Sequence, residues 1–168
     1  PTHYDIAVIP HAHALAFDGQ VTISIEVLEA TDRITLNATD LVFSSVHLIP
    51  AADEVKWAAP RVTMDTAAQT ATFTFTKPIP PGTYRLAIGY SGKIGTQATG
   101  LFSLDYDTPQ GRQRALYTQF ENSDARSMLP SWDEPDYKAT FDLSVVVPSS
   151  QMAVSNMPIA RSEEMGNG

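Results

Sequence analysis

From Val21 to Val27 apolar and polar residues alternate strictly, with Val21, Ile23, Ile25 and Val27 on one side and Thr22, Ser24 and Glu26 on the other. Side chains of an extended chain point to opposite faces in turn, so this alternation predicts a strand with one face buried and one wetted. The same period recurs at Ala71, Phe73 and Phe75 among Thr70, Thr72, Thr74 and Thr76. It returns at Tyr84, Leu86, Ile88 and Tyr90, at Phe102, Leu104 and Tyr106, and at Ala139, Phe141, Leu143, Val145 and Val147. Turn-forming residues separate the runs. Asp18-Gly19 reads as a tight hairpin, Ala67-Ala68-Gln69 as a short link, and the stretch from Lys77 to Gly82, with Pro78, Pro80 and Pro81, as a rigid connection. Strands recurring about every ten residues with such turns predict an all-β fold, an antiparallel β-sandwich or curved sheet.

Helix is nearly absent from this pattern. The best short candidate runs from Asp124 to Leu129, where Ser123 or Asp124 would cap the first turn and Pro130 would end the last. The chain has 168 residues, room for one domain with one sizeable core. We expect residues 1–160 to form that domain and residues 161–168, polar and Gly-rich, to be a frayed tail at a cut within a longer protein. The start at Pro1 is what processing or trimming would leave.

Charge and composition narrow the partners. Eleven Lys and Arg against nineteen Asp and Glu give a net charge of −8, which repels polyanions and leaves no basic stripe, so nucleic acid is not an expected partner. No run of about 18 apolar residues, the minimum for a membrane-spanning helix, occurs. With no cysteine there is no disulfide, thiolate metal site or cysteine nucleophile.

Residues 117 to 138 break the alternation and carry the densest polar and charged passage between two strong strands. A long irregular connection in a compact domain is often functional. Within it stand Thr118-Gln119-Phe120-Glu121, Asp124-Ala125-Arg126, Pro130, Asp133-Glu134-Pro135 and Lys138-Ala139-Thr140-Phe141. Around it stand Pro1-Thr2-His3-Tyr4-Asp5, Phe17-Asp18-Gly19, Leu36-Asn37-Ala38 before Asp40-Leu41, Tyr90-Ser91-Gly92, Gly100-Leu101-Phe102-Ser103 and Ser155-Asn156-Met157-Pro158. In order and spacing this set resembles the amino-terminal domain of aminopeptidase N-like zinc metallopeptidases, over almost the whole chain. One departure is Ser131-Trp132, where that family commonly has Cys-Phe, a change of packing rather than of chemistry.

The resemblance implies a saddle-shaped, mainly antiparallel β domain that docks on a catalytic domain of the same polypeptide and closes one wall of its substrate cleft. It implies an aminopeptidase, a hydrolase of peptides with a free amino terminus, as the parent. It places no catalytic residue in this chain. The family's G-x-M-E-N strand and zinc-binding H-E-x-x-H helix do not occur in the 168 residues, and none of His3, His11, His13 and His47 is followed by Glu. Zinc is therefore expected in the catalytic domain and not in this fragment, which is expected to be inactive alone.

Gln119 and Glu121 are the candidate substrate-binding residues. By themselves two polar residues at a strand end are read as solvated or bonded to backbone. The resemblance implies more for both: Glu121 receives the substrate α-ammonium through charge-assisted hydrogen bonds, and Gln119 borders the first side-chain pocket. If the segment is extended, both side chains face the same way.

Other candidates carry less. Asp133 and Glu134 are adjacent acids in an expected turn, with Arg126 as their cation, and are read as structural because no nucleophile or metal accompanies them. His11 and His13 share one face of an extended segment, but two ligands do not make a zinc site. Asn37-Ala38-Thr39 has the form of a glycosylation acceptor, too frequent by chance to weigh. A rival from another class is a free-standing β-sandwich binding module for a carbohydrate or protein ligand, for which Trp57 and Trp132 are the aromatic side chains left outside core register.

Overall fold

The alternating run around Val21 is the middle of a long strand that sits at the centre of the largest sheet. A computed structural model describes residues 1–52 and 55–166, so the last two residues of the expected tail lie outside the described residues. The strands are β1 (His3–His11), β2 (Ala16–Val27), β3 (Thr31–Asn37), β4 (Val42–Pro50), β5 (Arg61–Asp65), β6 (Thr70–Ile79), β7 (Gly82–Lys93), β8 (Gly100–Thr108), β9 (Gly111–Gln119) and β10 (Thr140–Val145). Helical structure among the described residues is limited to one 3-10 turn, Ala125–Ser127.

A five-stranded sheet has the order β10-β1-β2-β7-β4, a three-stranded sheet the order β3-β6-β5, and β8 and β9 form a hairpin. Every pairing is antiparallel except β1 with β10. The class is all-β, as the alternation predicts.

The apolar rows predicted from period two are the core. Val21, Ile23 and Ile25 of β2, Leu86, Ile88 and Tyr90 of β7, and Ala71, Phe73 and Phe75 of β6 are all buried. Each large side chain so covered contributes about 1.5–3 kcal/mol by leaving water. Aromatic contacts tie the two larger sheets together. Phe43 of β4 meets Phe73 of β6 edge to face at 5.4 Å, and Trp57 stands edge-on to both Phe75 of β6 and Tyr84 of β7. Trp57 is therefore a joint between layers rather than a free stacking platform.

Two local expectations change. Asp18 and Gly19 lie inside β2, paired with Ile9 and Val8, and the hairpin turn falls at residues 12–15, where Leu15 has φ 51°. Gly19 serves a different need: a Cβ there would run into the Tyr90 ring of the neighbouring strand. The expected Lys77–Gly82 connection is shorter, because β6 continues through Ile79, which pairs with Thr31, leaving Pro80 and Pro81 between β6 and β7.

Candidate functional site

The irregular passage runs from Phe120 to Ala139, between the end of β9 and the start of β10. An irregular segment must still satisfy its backbone polar groups, and here it does so partly within itself and partly through partners in distant segments. Asn37 at the end of β3 exchanges both backbone hydrogen bonds with Ser131, and its side-chain oxygen accepts the Asp133 N–H at 3.0 Å. The Tyr4 hydroxyl of β1 accepts the Trp132 N–H at 3.2 Å. The Thr39 N–H donates to the Arg126 carbonyl at 2.9 Å.

Arg126 is the centre of this clamp. Its Nε donates to Asp133 Oδ2 at 3.0 Å, its Nη2 to the Asp133 carbonyl at 3.0 Å, and its Nη1 to Gln69 Oε1 at 3.3 Å. Glu134 stands 3.8 Å from the same guanidinium. The Arg126 and Asp133 side chains are only 11% and 13% exposed, so this is a nearly buried, multiply bonded pair. The structural reading of Asp133 and Glu134 is the one the geometry gives, with Asp133 as the main partner.

The expected helix Asp124–Leu129 is a single 3-10 turn, and neither Ser123 nor Asp124 caps it. The Asp133 carboxylate takes the Arg126 backbone N–H instead, at 3.2 Å. A first-turn donor is thus satisfied by an acid seven positions ahead. Two of the turn's neighbours carry no local mark of their contact with it. Gly100, at φ 63°, lets the turn lie against the start of β8, since a Cβ there would meet the Ser127 hydroxyl. Gln69, in the β5–β6 turn at φ 54°, gives its side chain to Arg126 and its carbonyl to the Ala38 N–H. Both belong to contacts between distant parts of the chain, which local pattern does not announce.

Gln119 is the last residue of β9, paired with Gly100, and is exposed. Glu121 lies two residues on, outside the strand, also exposed, and its peptide bond to Asn122 is cis. β9 ends at Gln119, so strand pairing does not by itself fix the shared facing expected of the two side chains. Among the described residues the Glu121 carboxylate has no hydrogen bond or ion pair. Phe120 between them is half-buried against the core, and its carbonyl accepts the Asp124 N–H at 3.0 Å. A rigid base thus presents an amide and a free carboxylate to solvent, an arrangement able to accept hydrogen bonds from a cationic ligand.

A groove of about 460 Å³ lies elsewhere, between Ile25–Glu29, Arg33 and the Trp132–Lys138 stretch, and neither Gln119 nor Glu121 lines it. No group of three metal-ligating side chains occurs among the described residues. His11 ends β1 with its Nε2 2.9 Å from Asp18 Oδ2, His13 lies in the turn beyond, and His3 Nδ1 meets Thr140 Oγ1 at 2.7 Å. These residues do not fit a zinc ion.

Such a molecule is an all-β domain: a layered β scaffold with one long loop clamped to it by Arg126 and Asp133. Residues 1–168 match the Peptidase M1 N-terminal domain model along their whole length, and the chain belongs to that family. It is 41% identical over 167 residues to an aminopeptidase N of Acetobacter pasteurianus, covering 99% of this chain and 45% of that protein. It is 34% identical to aminopeptidase M1 of Arabidopsis thaliana and 30% identical to a puromycin-sensitive aminopeptidase of Caenorhabditis elegans, covering 19% and 18% of them. The chain thus spans less than half the length of these relatives.

Proposed function

We propose that residues 1–160 are the amino-terminal domain, and 161–168 its tail, of a zinc-dependent aminopeptidase. In this reading the domain walls one side of the substrate cleft, and a catalytic domain in the same polypeptide holds the zinc and performs hydrolysis. The chain alone is inactive. The observation that carries the reading is the exposed, unpaired Glu121 carboxylate two residues beyond Gln119, on a loop that the Arg126–Asp133 pair holds in place. A carboxylate with its lone pairs free accepts charge-assisted hydrogen bonds from an α-ammonium, and an acylated terminus cannot return them. That difference is what exopeptidase selectivity needs. The three relatives, each an aminopeptidase by name, point the same way.

The test is steady-state kinetics of the full-length parent with Glu121→Ala and Gln119→Ala. Enclosed against the catalytic domain, Glu121 becomes one partner of a desolvated charge pair. Its loss is expected to lower kcat/KM by about 2–5 kcal/mol of transition-state stabilisation. Gln119→Ala is expected to change the ranking of first-residue side chains more than the overall rate. An unchanged kcat/KM for Glu121→Ala would remove that residue from the site.

A further inference from the structure

The β8–β9 hairpin turns an apolar face outward. Residues paired across an antiparallel ladder share a face, so Phe102 with Tyr117, Leu104 with Ala115, Tyr106 with Gln113 and Gly100 with Gln119 lie on one side. The other side carries Leu101 and Leu116, which pack on the core, and Arg114, whose Nη1 reaches the Ala12 carbonyl at 2.9 Å. That side therefore faces the domain. The first side looks away from it, and Leu104, Tyr106 and Tyr117 are 49%, 49% and 48% exposed there. It carries no charged residue, whereas Asp105, Asp107, Arg112 and Arg114 all lie on the inner side.

Tyr117 has a support on this face. Its ring stacks on that of Phe102, with centroids 5.8 Å apart and planes 28° from parallel, and Phe102 is itself buried. One side of the Tyr117 ring is thus fixed against a buried partner while the rest of the side chain stays open to solvent. Strand alternation sets Tyr117 and Gln119 on the same face, with their Cα atoms about 6.6–6.8 Å apart. A long side chain spans that distance and a methyl group does not.

We propose that Tyr117 is a specificity-determining residue of the site formed by Gln119 and Glu121: its ring makes the far wall of the first side-chain pocket and favours substrates whose first residue is aromatic or long and aliphatic. The inference rests on the reading of Glu121 as the receiver of the α-ammonium and of Gln119 as the border of that pocket. Along the chain the order is then ammonium acceptor, amide, ring. A first side chain directed along β9 past Gln119 meets Tyr117 only if it is long, and alanine stops short. The gain is the apolar area that ring and substrate remove from water together, to which ring-on-ring contact adds for an aromatic substrate. A charged first side chain meets no balancing group on this face.

Steady-state kinetics of the full-length parent, on peptides that differ only in a first residue of Phe, Leu or Ala, test this. Tyr117→Thr removes the ring and keeps a strand-forming residue. It is expected to lower the Phe-to-Ala ratio of kcat/KM about tenfold or more while changing the alanine substrate less than about twofold. Tyr117→Leu, which keeps Phe102 covered, is expected to lower the ratio in the same direction. Tyr117→Phe is expected to keep the ratio, and Tyr106→Thr, farther along the same face, to leave it unchanged. An unchanged ratio without the Tyr117 ring would overturn the proposal. So would an equal loss on every substrate from Tyr117→Thr and Tyr106→Thr, since the face would then pack against another domain. Glu121→Ala on the same substrates keeps the two readings apart. If it lowers kcat/KM while the ratio survives loss of the ring, only the role of Tyr117 fails. If it has no effect, or the parent cleaves none of the peptides, the Gln119–Glu121 site itself fails.

Discussion

Arg126 decides how firmly the loop is held, because one guanidinium with almost no access to water donates to three acceptors, with the Glu134 carboxylate 3.8 Å away. Removing one member of a buried pair leaves the other charge uncompensated, which costs about 3–5 kcal/mol. Arg126→Ala is therefore expected to lower the stability measured by urea unfolding by that amount, while Glu134→Gln, at 3.8 Å and 57% exposed, is expected to change it by less than about 1 kcal/mol. Equal effects from the two variants would mean that the clamp is a general charge effect rather than a geometry. Tyr90 gives the converse case. Its hydroxyl is buried with no hydrogen-bond partner among the described residues, and burial pushes the phenol well above its ordinary value. Since an unsatisfied buried hydroxyl costs about 1–3 kcal/mol, Tyr90→Phe is expected to leave thermal stability unchanged or raised, and a clear loss would reveal a hidden partner. These two residues also mark what the sequence can show. Tyr90 is legible as core because period two puts it in register with Leu86 and Ile88. That Gly19 exists to make room for its ring is not, because the contact joins two strands far apart in sequence and a glycine after Asp has every local mark of a turn. Likewise the pairing of Arg126 with a nearby acid follows from composition, but the choice of Asp133 over Glu134 depends on the fold.

At the scale of elements, the β8–β9 hairpin carries Gln119, and one arginine both ties its two strands together and reaches the rest of the domain. Arg114 of β9 bonds both oxygens of Asp105 in β8, at 2.6 and 3.0 Å, and its Nη1 donates to the Ala12 carbonyl in the β1–β2 turn at 2.9 Å. The Arg114 hydrogen bonds hold the Asp105 carboxyl below its ordinary value, with the nearby Arg112 charge acting in the same direction. A carboxyl whose folded value lies below its unfolded one stabilises the fold above the unfolded value and loses that contribution as pH falls through the folded one. Thermal melts of the chain and of Arg114→Gln should therefore differ at neutral pH and converge in acid, below the ordinary 3.8 of the carboxyl. A constant difference across that range would show that Arg114 acts only through the Ala12 carbonyl. Strand alternation makes β8 legible in part, since Phe102 is buried as its register predicts while Leu104 and Tyr106 stay exposed. The short helix is misread because its expected cap is local, whereas its actual partner, Asp133, reaches it only after the chain has turned at Pro130.

For the molecule as a whole, the consequential question is whether it holds a metal of its own. The parent's reaction is read as zinc-dependent, and His11 and His13 are the nearest thing to a ligand pair that the sequence offers. In the fold they are separated by the end of β1, and His11 is engaged with Asp18. A structural zinc needs four ligands and a catalytic one three, and no such group exists among the described residues. Any ligand that binds only the folded state raises stability by RT ln(1 + [L]/Kd), about 2.7 kcal/mol at a hundredfold excess over Kd. Zinc at about 100 μM would therefore shift the melting temperature of the 168-residue chain by several degrees if it bound with micromolar affinity. No shift is expected, together with no chelator-sensitive peptidase activity in a contaminant-free sample of this chain. The full-length parent is expected to lose activity to a chelator while its amino-terminal domain keeps the same melting transition. A zinc-dependent rise in the isolated chain's stability that His11→Ala abolishes would instead assign this domain a metal site and move part of the proposed chemistry into it.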